Sequence, residues 1–230
     1  MFNLNILLFC LEKHISHSQI LLFIEHIYKS NPLPKDDAVI FDFGCETDKD
    51  RFCRIGIPPE RFSDFKFIII PTTHLHMNGF IITDEDAESN ARRAELWVKR
   101  FEALLDMFLP FGKIGIAHPT CYLISKRWTP RVNYVEILNS IKDDDYERIF
   151  SKAAKVGCGI ELNRCDMQYA DDEADVVLRP YKIAKSYGCK FYLGSDAHRP
   201  DEYPEAVPAF ERVINALDLT ENDKFYIADI

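Results

Sequence analysis

The stretch "KFYLGSDAHRP", residues 190–200, decides how the fold is read. Three apolar residues, Phe191, Tyr192 and Leu193, run into Gly194 and Ser195, and Asp196 and His198 follow two positions apart. Gly, Ser and Asp are what a chain uses to leave a strand. An Asp and a His aimed from a strand end also suit a metal ion. Five earlier runs resemble this one: "ILLFIE" (20–25), "AVIFDFG" (38–44), "KFIIIP" (66–71), "KIGIAH" (113–118) and "CGIELN" (158–163). With "CKFYLGS" (189–195) they make six predicted strands, apolar almost without alternation, as parallel strands covered on both faces are. Longer stretches between them, 86–108, 143–157, 170–188 and 204–217, carry helical stripes and acidic or Ser/Asp starts, and two stop at Gly157 and Gly188. Pro180 is expected to kink or break the third of these, and a weak helix is expected over 3–14. The repeated β-α order means a mainly parallel sheet or a barrel.

The chemistry collects after the strands. In order come His26, then Glu46 with Asp48, His74 with His76, His118, Glu161 with Asn163, and Asp196 with His198. In a parallel α/β barrel every strand C-terminus opens on one face, where the loops build the active site. Each residue alone has a bland reading. A histidine can be a hydrogen-bonded strand end, Glu46 a turn acid, His118 a terminator before Pro119, and Asp196 a cap. Those readings leave the coincidence of position unexplained. A His/carboxylate set with no thiolate partner suits Zn, Mn or Fe at a hydrolytic site, and a Glu among histidines can bridge two ions.

Composition sets the outer bounds. The 230 residues fit a single domain, and 47% hydrophobic with 28% charged residues is ordinary for a globular chain with a sizeable core. A net charge of −9 argues against a nucleic-acid partner or an anionic membrane surface, while a local basic pocket for one phosphate remains compatible. Seven scattered cysteines with no CxxC pair favour reduced thiols and a cytoplasmic setting. The apolar start "MFNLNILLFCLEKH" lacks a basic leader and a cleavage site and is too short to span a bilayer, so neither signal peptide nor anchor is expected.

Taken in order, "IEH" (24–26), "GCETD" (44–48), "TTH" (72–74), "IAHP" (116–119), "IELN" (160–163) and "GSDAH" (194–198) resemble the motifs of the PHP (polymerase and histidinol phosphatase) domain. The resemblance implies an α/β fold, a distorted TIM-like (β/α)7 barrel with two or three divalent metal ions at its C-terminal face. It also implies a phosphoesterase, histidinol-phosphatase-like, that hydrolyses a small phosphorylated substrate. Carried onto this chain, it makes His26, Glu46, His74, His118, Asp196 and His198 metal ligands, with Glu46 bridging and His76 the competitor of His74. Asp196 or His198 would also protonate the leaving oxygen. Asp48 and Glu161 would orient ligands, and Asn163, Arg164 and Arg199 would face substrate, with Lys126 and Arg127 as further phosphate clamps. For each of the basic residues a solvated surface charge is an equal reading.

The family's first strand carries an H-x-H pair, and none is present here; "HISH" (14–17) has the wrong spacing. The expectation is therefore a chain that begins inside the first helix, with the first strand missing and about six parallel strands in one domain over 1–230. Two rivals stand beside the phosphoesterase. One is a degenerate PHP-like domain that binds without turnover. The other is an amidohydrolase-type barrel, which would want a bridging lysine that no predicted strand end supplies. Substrate identity, metal number and oligomeric state are not legible in the residues.

Overall fold

The computed structural model describes residues 6–9, 40–83, 86, 89–125, 132–197 and 199–228. Strand β1 (Ile6–Phe9) lies parallel to the first half of β2 (Ile40–Glu46), and β3 (Phe67–Pro71), β4 (Ile114–Ala117), β5 (Gly159–Asn163) and β6 (Lys190–Gly194) follow, each parallel to its predecessor. Helix α1 (Asn90–Leu105) joins β3 to β4, α2 (Val132–Ser140) and α3 (Asp143–Val156) join β4 to β5, α4 (Ala174–Ser186) joins β5 to β6, and α5 (Ala206–Ala216) follows β6.

Two expectations need correction, and a third lies where nothing is described. The helix expected over 3–14 gives way to β1, because a four-residue apolar run has no polar position from which a period could be read. The strand expected over 20–25, with His26 behind it, lies outside the described residues. Pro180 does not break α4, which runs through it from Ala174 to Ser186. The face made by Val177, Leu178, Tyr181 and Ala184 is buried in the core, and that packing outweighs the hydrogen bond a proline cannot make. Helix α2 was not expected at all, although Tyr134, Ile137, Leu138 and Ile141 are buried at the i, i+3, i+4, i+7 spacing of a core-facing helix.

Strand residues alternate between two faces. Ile68, Ile70, Ile114, Ile116, Ile160, Leu162 and Phe191 pack outward against Trp97, Phe101, Phe150 and Val177 of the helices. Phe67, Ile69 and Ala117 face the other way, into a small cluster with Phe225 and Tyr192. On a flat sheet β3 and β6 would stand about 14 Å apart, at about 4.8 Å per strand. Yet the rings of Phe67 and Tyr192 meet edge to face with centroids 5.0 Å apart. They meet over Gly115, where an added Cβ would lie 2.5 Å from Phe67 and 2.6 Å from Tyr192. The five strands β2 to β6 thus form a curled half-barrel with helices on its convex side, consistent with a distorted TIM-like barrel.

Helix α1 also fixes the loops at the upper rim. Its start is capped by Ser89, whose side chain accepts from Arg92 N–H. Its buried Arg93 donates to Leu75 O and Ile124 O, both at 3.0 Å, and Trp97 Nε1 donates to Pro119 O at 3.1 Å. The loops after β3 and β4 are therefore pinned to one rigid element. No helix among the described residues is long and apolar enough to cross a membrane. The six described cysteines are free thiols.

Candidate metal centre

Three neighbouring strands each deliver one group to the C-terminal rim. Glu46 closes β2, His74 follows β3 by three residues, and His118 follows β4 directly. Glu46, His74 and His118 each offer a ligand atom within 4.8 Å of the others. Glu46 Oε1 stands 3.8 Å from His74 Nε2 and 3.7 Å from His118 Nε2, and the two rings stack with centroids 5.0 Å apart. His76 instead meets His74 edge-on, with centroids 5.2 Å apart, and is outside the donor set.

The surroundings hold these groups in place. Asp48 Oδ1 lies 2.8 Å from His74 Nδ1, which turns Nε2 toward Glu46. Thr73 Oγ1 lies 2.7 Å from His118 Nδ1. The backbone of His118 is left-handed, with φ of 28°, a costly state for a residue with a Cβ. Its N–H donates to Glu161 Oε2 at 2.6 Å, an anchor for that conformation. Glu161 itself leans over Gly194, where a Cβ would fall 1.7 Å from Oε1.

Charge accumulates behind the triad. Burial works against a positive His118, but Glu46 above all, then Glu161 and Asp166, raise it to about 10. Burial pushes Glu161 up to about 8 against the pull of His118, and Asp166 to about 6 against His118, Tyr181 and Thr120. Asp166, which sequence reasoning missed, is buried, accepting from Tyr181 OH at 2.6 Å and Thr120 N–H at 3.2 Å. The signal for it was slight, an acid three residues beyond the β5 motif.

A divalent cation fits the three donors. Glu46 Oε1 is buried without a hydrogen-bond partner among the described residues, an arrangement that costs free energy unless something positive meets it; without an ion that is a protonated His118, 3.7 Å away. Two imidazoles and a carboxylate are ordinary zinc donors, and two ligands at about 2.1 Å from one tetrahedral ion lie about 3.4 Å apart. The separations from Glu46 are only slightly wider.

Other expected residues go elsewhere. Arg164 Nε donates to Ser195 O at 3.1 Å, and its Nη1 to Glu202 O at 3.4 Å and Glu205 Oε2 at 3.3 Å. Its guanidinium ties the end of β5 to the segment after β6. Arg199 is exposed and pairs with Glu202 and Asp201. Asn163 Oδ1 accepts Cys165 N–H at 2.8 Å, and its buried Nδ2 has no hydrogen-bond partner among the described residues. Asp196 has a left-handed backbone, φ 47°, in the loop after β6, and its charge is felt at Glu161, but it is not part of the donor set. His26, His198, Lys126 and Arg127 lie outside the described residues.

The chain matches no family model and no curated protein. Among solved structures it is similar to the crystal structure of histidinol phosphate phosphatase from Lactococcus lactis subsp. lactis Il1403, complexed with zinc, L-histidinol and phosphate. The TM-score is 0.47 and the sequence identity 14%, over 85% of this chain and 72% of that one.

Proposed function

We propose that the chain is a metal-dependent phosphoesterase that hydrolyses a small phosphomonoester at the C-terminal rim of the half-barrel. The observation that carries this reading is the buried Glu46 Oε1, without a hydrogen-bond partner among the described residues and faced by Nε2 of both His74 and His118. Zn, Mn or Fe would be held by these three residues, with His26, Asp196 and His198 completing a set of two or three ions. A divalent ion so held supplies Lewis acidity toward a phosphoryl oxygen. The chain's own part is to orient: Asp48 fixes His74, Glu161 fixes the backbone of His118, and Asn163 Nδ2, without a partner among the described residues, would offer a donor to a phosphoryl oxygen. Asp196 or His198 would hand a proton to the leaving oxygen.

A second reading, metal or ligand binding without turnover, draws support from Arg164, whose Nε and Nη1 donate within the protein and not to an open site. Elemental analysis of the purified protein, followed by assay against a phosphomonoester panel with added Mn or Zn, separates the two. Bound metal that disappears in Glu46→Gln, together with turnover, is the expected result. Metal without turnover leaves the binding domain, and absence of metal sinks both.

A further inference from the structure

We infer that Thr73 is a positioning residue that fixes the proton of His118 on Nδ1 and so keeps Nε2 as the nitrogen offered beside Glu46. This rests on the reading of the site as a metal centre and adds to it a residue that sets which atom of His118 takes the ion. Thr73 is completely buried, and its hydroxyl touches His118 twice, at Nδ1 (2.7 Å) and at the backbone O (3.1 Å). A hydroxyl has one proton to give and lone pairs to receive. A carbonyl oxygen can only accept, so the Thr73 proton goes to His118 O, which has a second lone pair for Cys121 N–H at 3.2 Å. Thr73 Oγ1 must then accept at its other contact, and the donor there is His118 Nδ1–H. The ring is left with Nε2 directed at Glu46 Oε1, 3.7 Å away.

The same outcome is reached at His74 by another route, since Asp48 Oδ1 is the acceptor at Nδ1 and Nε2 again faces Glu46. Two histidines on adjacent strands thus present the same nitrogen, one set by a carboxylate and one by a hydroxyl. The hydroxyl leaves no additional charge beside a histidine already surrounded by Glu46, Glu161 and Asp166. Thr73 also precedes His74 in the chain, so the end of β3 supplies one ligand and the clamp for the ligand on β4. Partners that fix the tautomer of a ligating histidine typically alter metal affinity about 10–100-fold when removed.

The test uses the full chain as wild type, Thr73→Val, which keeps the shape and removes the hydroxyl, and Thr73→Ser, which restores it. Long-range proton–nitrogen spectra of the zinc-loaded protein, and of the metal-free protein above about pH 10 where His118 is neutral, should show a His118 Nδ1 that carries a solvent-protected proton in wild type and Thr73→Ser, with protection lost in Thr73→Val. Zinc titration against a competing chelator should show about 10–100-fold weaker binding for Thr73→Val and near-wild-type binding for Thr73→Ser. An unprotonated Nδ1 in wild type, or a valine variant that keeps both proton protection and zinc affinity, overturns the assignment. A wild-type protein that binds no zinc ends the metal reading, and the Nδ1 signal alone then upholds or overturns the role of Thr73.

Discussion

Asp48 Oδ1, 2.8 Å from His74 Nδ1, strengthens that ring as a donor through its negative charge as well as its geometry. Asp48→Asn keeps an oxygen acceptor and removes the charge. Zinc affinity is expected to fall about 10–100-fold while the thermal midpoint changes little, and equal affinity in a chelator-competition titration would refute this. The meeting of Asp48, His74 and Glu46 was legible in the sequence because each sits at or within a few residues of a strand end. Arg164 was not legible in the same way. Its partners Glu202 and Glu205 are about forty positions away and become neighbours only when β5 and the segment after β6 are brought side by side. A local pattern shows that an arginine follows a motif, but not which acids or carbonyls the fold will bring to it.

Strands β2 to β6 fall within a residue or two of their expected bounds, because parallel strands buried on both faces are short continuous apolar runs. What the runs could not reveal is the division of labour between their faces. Gly194 shows this well, since it reads as a turn residue and in fact makes room for Glu161. Gly194→Ala places a methyl group 1.7 Å from Glu161 Oε1, so that side chain must move and release His118 N–H. Weaker metal binding and a lower melting temperature are expected together, with rescue of stability when Glu161→Ala is added to Gly194→Ala. A variant that keeps wild-type stability and metal content would show that Glu161 does not hold His118. The loop anchors on α1 belong to this scale too, for Arg93 and Trp97 reach carbonyls of both rim loops from a helix that the sequence showed only as an amphipathic stripe.

Across the molecule, the buried thiols set how stability depends on alkaline pH. Burial pushes Cys45 and Cys189 up to about 12 and Cys165 to about 11, and it raises Cys121 and Cys158 as well. Above the ordinary thiol value of 9.0 the unfolded chain sheds these protons and the folded chain keeps them, so stability falls as pH rises. Lys49, lowered to about 8 first by burial and then by Arg100, acts in the opposite sense between 8 and 10.5, as does Lys113, lowered by burial, but they are two groups against five. Urea unfolding between about pH 9 and 10.5 should show Cys158→Ala with a slope shallower by about 1.4 kcal/mol per pH unit, and an unchanged slope would rule the account out. Nothing in the residue pattern pointed to this, because a cysteine's burial depends on which helix covers it. The same sheet has a further effect on what the rim can hold. Glu46, His74 and His118 come from the ends of three consecutive strands, whose pairing brings Glu46 Oε1 to 3.8 Å and 3.7 Å from the two imidazole nitrogens. Backbone pairing thus sets where the three donors stand: exchanging one would alter what a cation meets there, whereas only a shifted register would alter the spacing between them.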